Sequence, residues 1–303
     1  MVQCNDEAIS TMKPSRLPYY CDPRLLPAPL PTKQEIEAST RILAQEGWHK
    51  VVAVGRHFIV KYGPTIRQIE GENLLFVNQH SNIPAPRLYA MYRDDDSKLY
   101  LVMEAVDGDT LANLWPTLSS EAKCRIMAKL GSIVKELRSL PPAVFYGSLT
   151  GEGLPHPLFW SRENDPSECG PFQSQNDFNL ALAKRSRCIW EENGKPGYIS
   201  DFFEKYLSRV LHDHPPTFTH GDLQRKNIIV RPVPSNDPGI EQDYDLTLVD
   251  WESAAWYPTY WEYANTMLGF QWDDDWLNML ETVITPYPAE AVMMKMVWQA
   301  LIS

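Results

Sequence analysis

Residues 218 to 230 read FTHGDLQRKNIIV, and how they are understood decides the rest of the chain. They place His220, Asp222 and Asn227 within eight residues and then run into an apolar stretch from Ile228 to Val230. Phosphoryl transfer needs positioning and charge neutralisation more than covalent help. A carboxylate to take or orient a hydroxyl proton, followed five residues on by a side-chain oxygen for a hard cation, supplies both. Asp222 and Asn227 fit those two roles. The competing reading is an ordinary polar turn, with Asp222 as a turn cap and His220 hydrogen-bonded in the core. Context favours the first. The β-prone TFT precedes the motif, and a second strand ends in LVDW, which sets Asp250 beside Asn227 at the end of a hairpin where two oxygen ligands can share one cation.

Upstream, KVVAVGRHFIVKYG (50 to 63) holds two β-branched runs about Gly55 and predicts a hairpin whose second strand closes on Lys61. IRQIEGENLLFVNQH (66 to 80) has helical spacing and is ended by IPAP. Within it Glu72 lies three residues after Ile69 and three and four before Leu75 and Phe76, so it shares their apolar stripe, whereas Glu70 points elsewhere. A carboxylate on an apolar face is costly unless paired, and Lys61 is the partner expected for Glu72. KLYLVMEAV (98 to 106) predicts a further strand.

The first forty residues are proline-rich and predict an irregular arm wrapping the surface, with a helix from Thr32 or Lys33 to about Gln45 stopped by Gly47. Beyond Ser119, Ile126, Leu130, Ile133, Val134 and Leu137 fall on one helical face. Residues 141 to 176, dense in Pro and Gly, are expected to form a long surface excursion. The predicted division is an arm over 1–40, a strand-rich lobe over 41–107 and a helical lobe over 108–303.

The chain has 303 residues, 44% hydrophobic and 22% charged, which suits a folded protein; its net charge of -11 disfavours nucleic acid and anionic membranes and suits cationic ligands. Five scattered cysteines without a CxxC pair argue against a disulfide framework and for reduced thiols. The N-terminus MVQCNDEAIS lacks an apolar signal core, and no run is long enough to span a bilayer, so a cytoplasmic protein is expected. His212, His214 and His220 have a spacing that zinc could use, but Pro215 and Pro216 intervene and no further ligand cluster accompanies them, so core or solvated histidines are the stronger reading.

Taken in order, the strand lysine, helix glutamate, VMEAV, HGDLxxxN and following aspartate resemble the aminoglycoside phosphotransferase and choline kinase-like branch of the protein-kinase-like fold, over roughly residues 40 to 300. VKYG, HGDLQRKNIIV and VDWESAAWYPTYWEYA are similar to stretches of members found in fungi. The resemblance implies an α+β, two-lobed fold, with a small β-rich lobe carrying one helix and a larger, mainly helical lobe. It implies Lys61 on the nucleotide phosphates, Glu72 as its ion-pair partner, Asp222 as catalytic base and Asn227 with Asp250 as Mg²⁺ ligands. The backbone of Met103, Glu104 and Ala105 becomes the hinge that bonds adenine, and ATP, or GTP, is the donor.

The chain departs from the kinase pattern in three places. No GxGxxG precedes Lys61, Asp250 is followed by Trp and Glu, and neither an APE motif nor a long activation segment follows. The last point argues for a small-molecule hydroxyl acceptor over a protein. Six of the ten tryptophans fall from Trp251 onward, most of them explained by core packing. In WDDDW, Trp272, Asp273, Asp274 and Trp276 are the candidates for holding a cationic or aromatic acceptor. A nucleotide-binding or scaffold protein without turnover is the alternative, disfavoured by the intact Asp222, Asn227 and Asp250.

Overall fold

The computed structural model describes residues 11–235, 242–268 and 274–302, the side chain of Ile302 excepted. The proline-rich start is not a loose wrapping. Tyr19–Tyr20 (β1) pairs with a sheet edge, and Lys33–Glu37 (α1) is a short helix. In α1, Thr32 and Glu35 cap each other's backbone amides. That helix does not continue to Gln45, because Ile42–Glu46 (β2) pairs with His49–Val54 (β3) and ladder bonds override local helix preference. The hairpin about Gly55 forms as expected between β3 and Phe58–Gly63 (β4). Gln68–His80 (α2), Leu88–Arg93 (β5) and Leu99–Glu104 (β6) complete an antiparallel sheet of order β1-β5-β6-β4-β3-β2.

The period of two gives this sheet two occupied faces. On one, Val52, Phe58, Val60, Tyr100 and Val102 pack with Ile36 of α1, and Cys21, Leu26 and Leu30 cover them, so residues expected as a surface arm form part of a core. Tyr62, Tyr100 and Tyr92 stack across three strands on this face, with centroids 5.2 Å apart at each step. On the other face lies α2. Gly71 permits its close approach, since a Cβ there would stand 2.5 Å from the Met91 sulfur and 3.3 Å from Leu101.

Asp109–Thr110 (β7) and Leu111–Leu114 (α3) lead to Ser120–Arg138 (α4), capped by Ser119 as expected. The stretch 141 to 176, which includes Pro166–Cys169 (α5), is not a surface excursion: Phe145, Tyr146, Leu149, Leu158, Phe159 and Phe172 are buried. Proline and glycine exclude long regular elements there, but the apolar side chains still enter the core. Gln175–Glu192 (α6), Tyr198–Val210 (α7), Pro216–Thr219 (β8), Ile228–Pro234 (β9) and Gln242–Leu248 (β10) follow. Ala255–Pro258 (β11), Trp261–Leu268 (α8), Trp276–Leu280 (α9) and Pro288–Ile302 (α10) end the chain. β9 pairs with β10 and β7, and β8 with β11.

Two compact units result, and neither is contiguous in sequence. One joins residues 13–117 to 225–252; the other joins 118–224 and 253–302 with Thr11 and Met12. The division expected at 40 and 107 is displaced for a physical reason. β1 and α1 belong to the sheet's own core, and the β9/β10 hairpin is tied to the sheet unit through β7 and through the Leu248 amide, which donates to the Pro84 carbonyl at 2.8 Å. The strand-rich unit with α2 and the mainly helical unit together give the α+β organisation expected. Among the described residues no helix is long and apolar enough to cross a membrane.

Candidate active site

In the sheet unit Lys61 is the centre of a charge cluster. It lies on β4, opposite Leu101 of β6, and its ammonium meets Glu70 at 2.9 Å, Asp250 at 3.0 Å and Glu252 at 2.6 Å. Burial alone would pull the lysine pKa down, but the three carboxylates outweigh it and hold Lys61 above the ordinary value. Burial pushes the Glu70 carboxyl up to about 7 against the attraction of Lys61, with Asp250 and Glu252 adding repulsion. Three carboxylates against one ammonium leave two negative charges in excess when all are ionised.

Asp250 and Asn227 meet through the hairpin, as the sequence predicts. Ile228 pairs with Leu248, and the Val249 amide donates to the Asn227 carbonyl at 2.9 Å, which fixes Asp250 next in line. Asp250 has φ +66°, a left-handed conformation that non-glycine residues adopt at a cost and that recurs at functional sites. Carboxylate oxygens of Glu70, Asp250 and Glu252 all lie within 4.8 Å of one another. These three carboxylates are a hard oxygen donor set of the kind Mg²⁺ takes, and the excess negative charge is what a dication would offset.

The partner of Lys61 is Glu70, not Glu72. A stripe argument assumes that a helix buries one face, but in α2 residues 69 to 74 are all buried, so both glutamates are inside and apolar neighbours cannot tell them apart. Glu70 and Asn73 share a side, and the Asn73 amide group donates to the Trp251 carbonyl at 2.8 Å. Glu72 turns away and accepts from Ser15 and Gln68. At the expected hinge, the Glu104 and Ala105 amides already donate to the Arg87 and His57 carbonyls. Those two amides are therefore already engaged.

Asp222 belongs to the helical unit. Its Oδ1 accepts from the Gln224 side chain at 2.6 Å, and its amide faces His220 Nδ1 at 3.3 Å. Gly221 has φ +81°, and a Cβ there would run into the Ser253 carbonyl, which accounts for the glycine of HGD. Three residues of α8 hold the loop. Glu262 accepts the His220 amide at 2.8 Å, the Asn265 side chain donates to the Gly221 carbonyl, and Thr266 donates to Leu223 at 3.4 Å. Sequence reasoning missed these residues along with Glu252 and Asn73. The available signals were the polar i, i+3, i+4 set on an otherwise apolar WEYANTML helix and the second carboxylate of DWE.

The WDDDW candidates do not form a described box. Trp272 and Asp273 lie outside the described residues. Asp274 accepts the Trp276 amide at 2.8 Å, and Trp276 is buried in the core of the helical unit. Nor do the three histidines converge on a metal: His212 pairs with Asp213, His214 lies between Thr259 and Glu290, and His220 is buried.

The model of the phosphotransferase enzyme family matches residues 45–290. No curated protein matches the chain in sequence. In structure the chain is similar to the gentamicin complex of APH(2")-IIa, with TM-score 0.57 and 16% identity over 86% of this chain and 82% of that one. It is similar to the apo form of a thermostable mutant of aminoglycoside phosphotransferase APH(4)-Ia, with TM-score 0.56 and 17% identity over 86% of each. The GDP complex of aminoglycoside 2'-phosphotransferase-IIIa gives TM-score 0.52 and 14% identity over 86% and 81%. At these identities the likeness is one of fold, the protein-kinase-like fold.

Proposed function

The chain belongs to the phosphotransferase enzyme family, and from that membership we propose that it moves the γ-phosphate of ATP or GTP to a hydroxyl of a small molecule. The observation that carries this reading is the Lys61 cluster. One buried ammonium faces three carboxylates on the hairpin end and helix beside it, a charge excess that suits a dication and its phosphates.

In this reading Glu70 keeps Lys61 charged and aimed, and Lys61 binds phosphate oxygens. Asp250, Glu252 and Asn227 would hold Mg²⁺, and the ion, when bound, would supply neutralisation of the developing phosphoryl charge. Asp222 accepts the proton of the acceptor hydroxyl. The hydroxyl oxygen bonds to the γ-phosphorus as the bond from that phosphorus to the β,γ-bridging oxygen breaks, leaving the phosphorylated acceptor and a nucleoside diphosphate. The net charge of -11 suits a cationic acceptor. The nucleotides and drugs in the neighbours' complexes, GDP and gentamicin among them, make aminoglycosides and other polyol amines the first acceptors to assay. Reduced thiols and the absence of a membrane-length helix among the described residues fit a cytoplasmic enzyme.

The test is thermal unfolding with ATP or GTP, with and without Mg²⁺, since a ligand bound only by the folded state at a hundred times its Kd adds about 2.7 kcal/mol. Wild type and Asp222→Asn should both gain a Mg²⁺-dependent rise, Lys61→Ala should lose it, and only wild type should consume nucleotide with an acceptor. No rise with either nucleotide would sink the reading, and turnover by Asp222→Asn would remove Asp222 as the base. A rise without turnover on any acceptor would favour the nucleotide-binding scaffold.

A further inference from the structure

The residue expected to hold Lys61 is engaged elsewhere, and its engagement is complete. Glu72 is 6% exposed, and both its oxygens accept hydrogen bonds. Oε1 takes the Ser15 amide and the Gln68 side chain, each at 2.8 Å, and Oε2 takes the Ser15 hydroxyl at 2.8 Å. Gln68 also donates to the Ser15 carbonyl at 2.8 Å, which closes the ring. Ser15 stands upstream of the sheet, and four residues later Tyr19 pairs with Met91 of β5, so the segment is anchored on both sides of the short span it crosses.

The location gives this ring a consequence. Arg67, at the N-cap of α2, has no side-chain acceptor with which to hold the first-turn amides. That first turn carries Glu70, and Asn73 one turn on holds the Trp251 carbonyl beside Asp250. A helix start without a side-chain cap relies on tertiary contacts for its position, and a shift here would draw Glu70 away from Lys61.

We infer that Ser15, Glu72 and Gln68 form a clasp that positions the start of α2, so that residues 13–20 set the Lys61–Glu70 pair from outside the sheet. None of the three touches Lys61; they are positioning residues. Their effect on turnover rests on the phosphotransferase reading, whereas their effect on Lys61 does not. Modification of the Ser15 hydroxyl would open the clasp, because any bulky group on Oγ displaces the Glu72 bond.

The experiment compares Ser15→Ala, Ser15→Thr and Glu72→Ala in the full chain with Ile126→Val, a core change in α4, as a control for general destabilisation. The first readout is acylation of Lys61 by an amine-reactive reagent, followed by mass spectrometry together with amide exchange over 69 to 74. The second is the KM for Mg-nucleotide against kcat. Ser15→Ala and Glu72→Ala should raise Lys61 labelling about tenfold or more, as losing a hydrogen bond to a carboxylate does to a local opening equilibrium, and raise KM more than they lower kcat. Ser15→Thr, which keeps the hydroxyl, should restore both, and Ile126→Val should change neither. Wild-type labelling and exchange in Ser15→Ala and Glu72→Ala would overturn the clasp. Raised labelling in a protein that binds no nucleotide would keep the clasp and reject the phosphotransferase reading.

Discussion

At the scale of single residues, Asp250 joins three costs. It has a left-handed backbone, is one of three clustered carboxylates and is one of three partners of a single lysine. Asparagine tolerates that backbone, keeps an oxygen for Lys61 and removes one of the crowded charges. Asp250→Asn should therefore be as stable as wild type or more so, by up to about 1 kcal/mol, yet lose most of the Mg-nucleotide rise. A variant less stable than wild type that still gains the full rise would show that Asp250 serves packing. The places of Asp222, Asn227 and Asp250 were legible because each stands at a strand end or turn that its neighbours mark, and that of Lys61 because it lies in the second β-branched run of a hairpin. Glu70 was not, because the choice between two glutamates depended on what covers each side of α2.

Among the elements, α8 has the same supporting role towards the HGD loop that α2 has towards Lys61. Glu262 is buried and accepts the His220 amide at 2.8 Å. Burial raises its pKa above the ordinary 4.5, opposed by His220, Arg138 and hydrogen bonding from the backbone. A raised carboxyl pKa means that its contribution to stability is full below pH 4.5 and is lost as pH rises through the folded value. Glu262→Gln keeps an acceptor but not the ionisation, so the stability of wild type relative to this variant should decline from pH 4.5 toward neutrality in urea titrations. A flat difference would mean that Glu262 does not titrate in this range. Glu262→Ala leaves the buried His220 amide without its acceptor and should cost about 1–3 kcal/mol. The hairpin elements were legible from β-branched runs around turns; β2 was not, because its sequence suits a helix and only pairing with β3 decides otherwise.

For the whole molecule, the sheet unit is assembled from two stretches of chain. β7 needs β9, Pro84 needs the Leu248 amide, and Asn73 needs the Trp251 carbonyl. Residues 13–117 alone should lack a cooperative thermal transition by circular dichroism, and joining 225–252 to them through a flexible linker should restore one. A cooperative transition of 13–117 alone, at an unchanged midpoint, would show that the hairpin is only an attachment. The sequence by itself determined the family, the two-part α+β organisation, the lysine strand, the HGD loop and the Asn227–Asp250 hairpin, because these are local patterns of turn, period and spacing. Only the tertiary structure decided that Glu70 and not Glu72 meets Lys61, that Glu252 joins the cluster and that the proline-rich start is part of the core. Those outcomes turn on which surfaces face each other once distant segments meet, and burial and charge pairing are properties of that meeting.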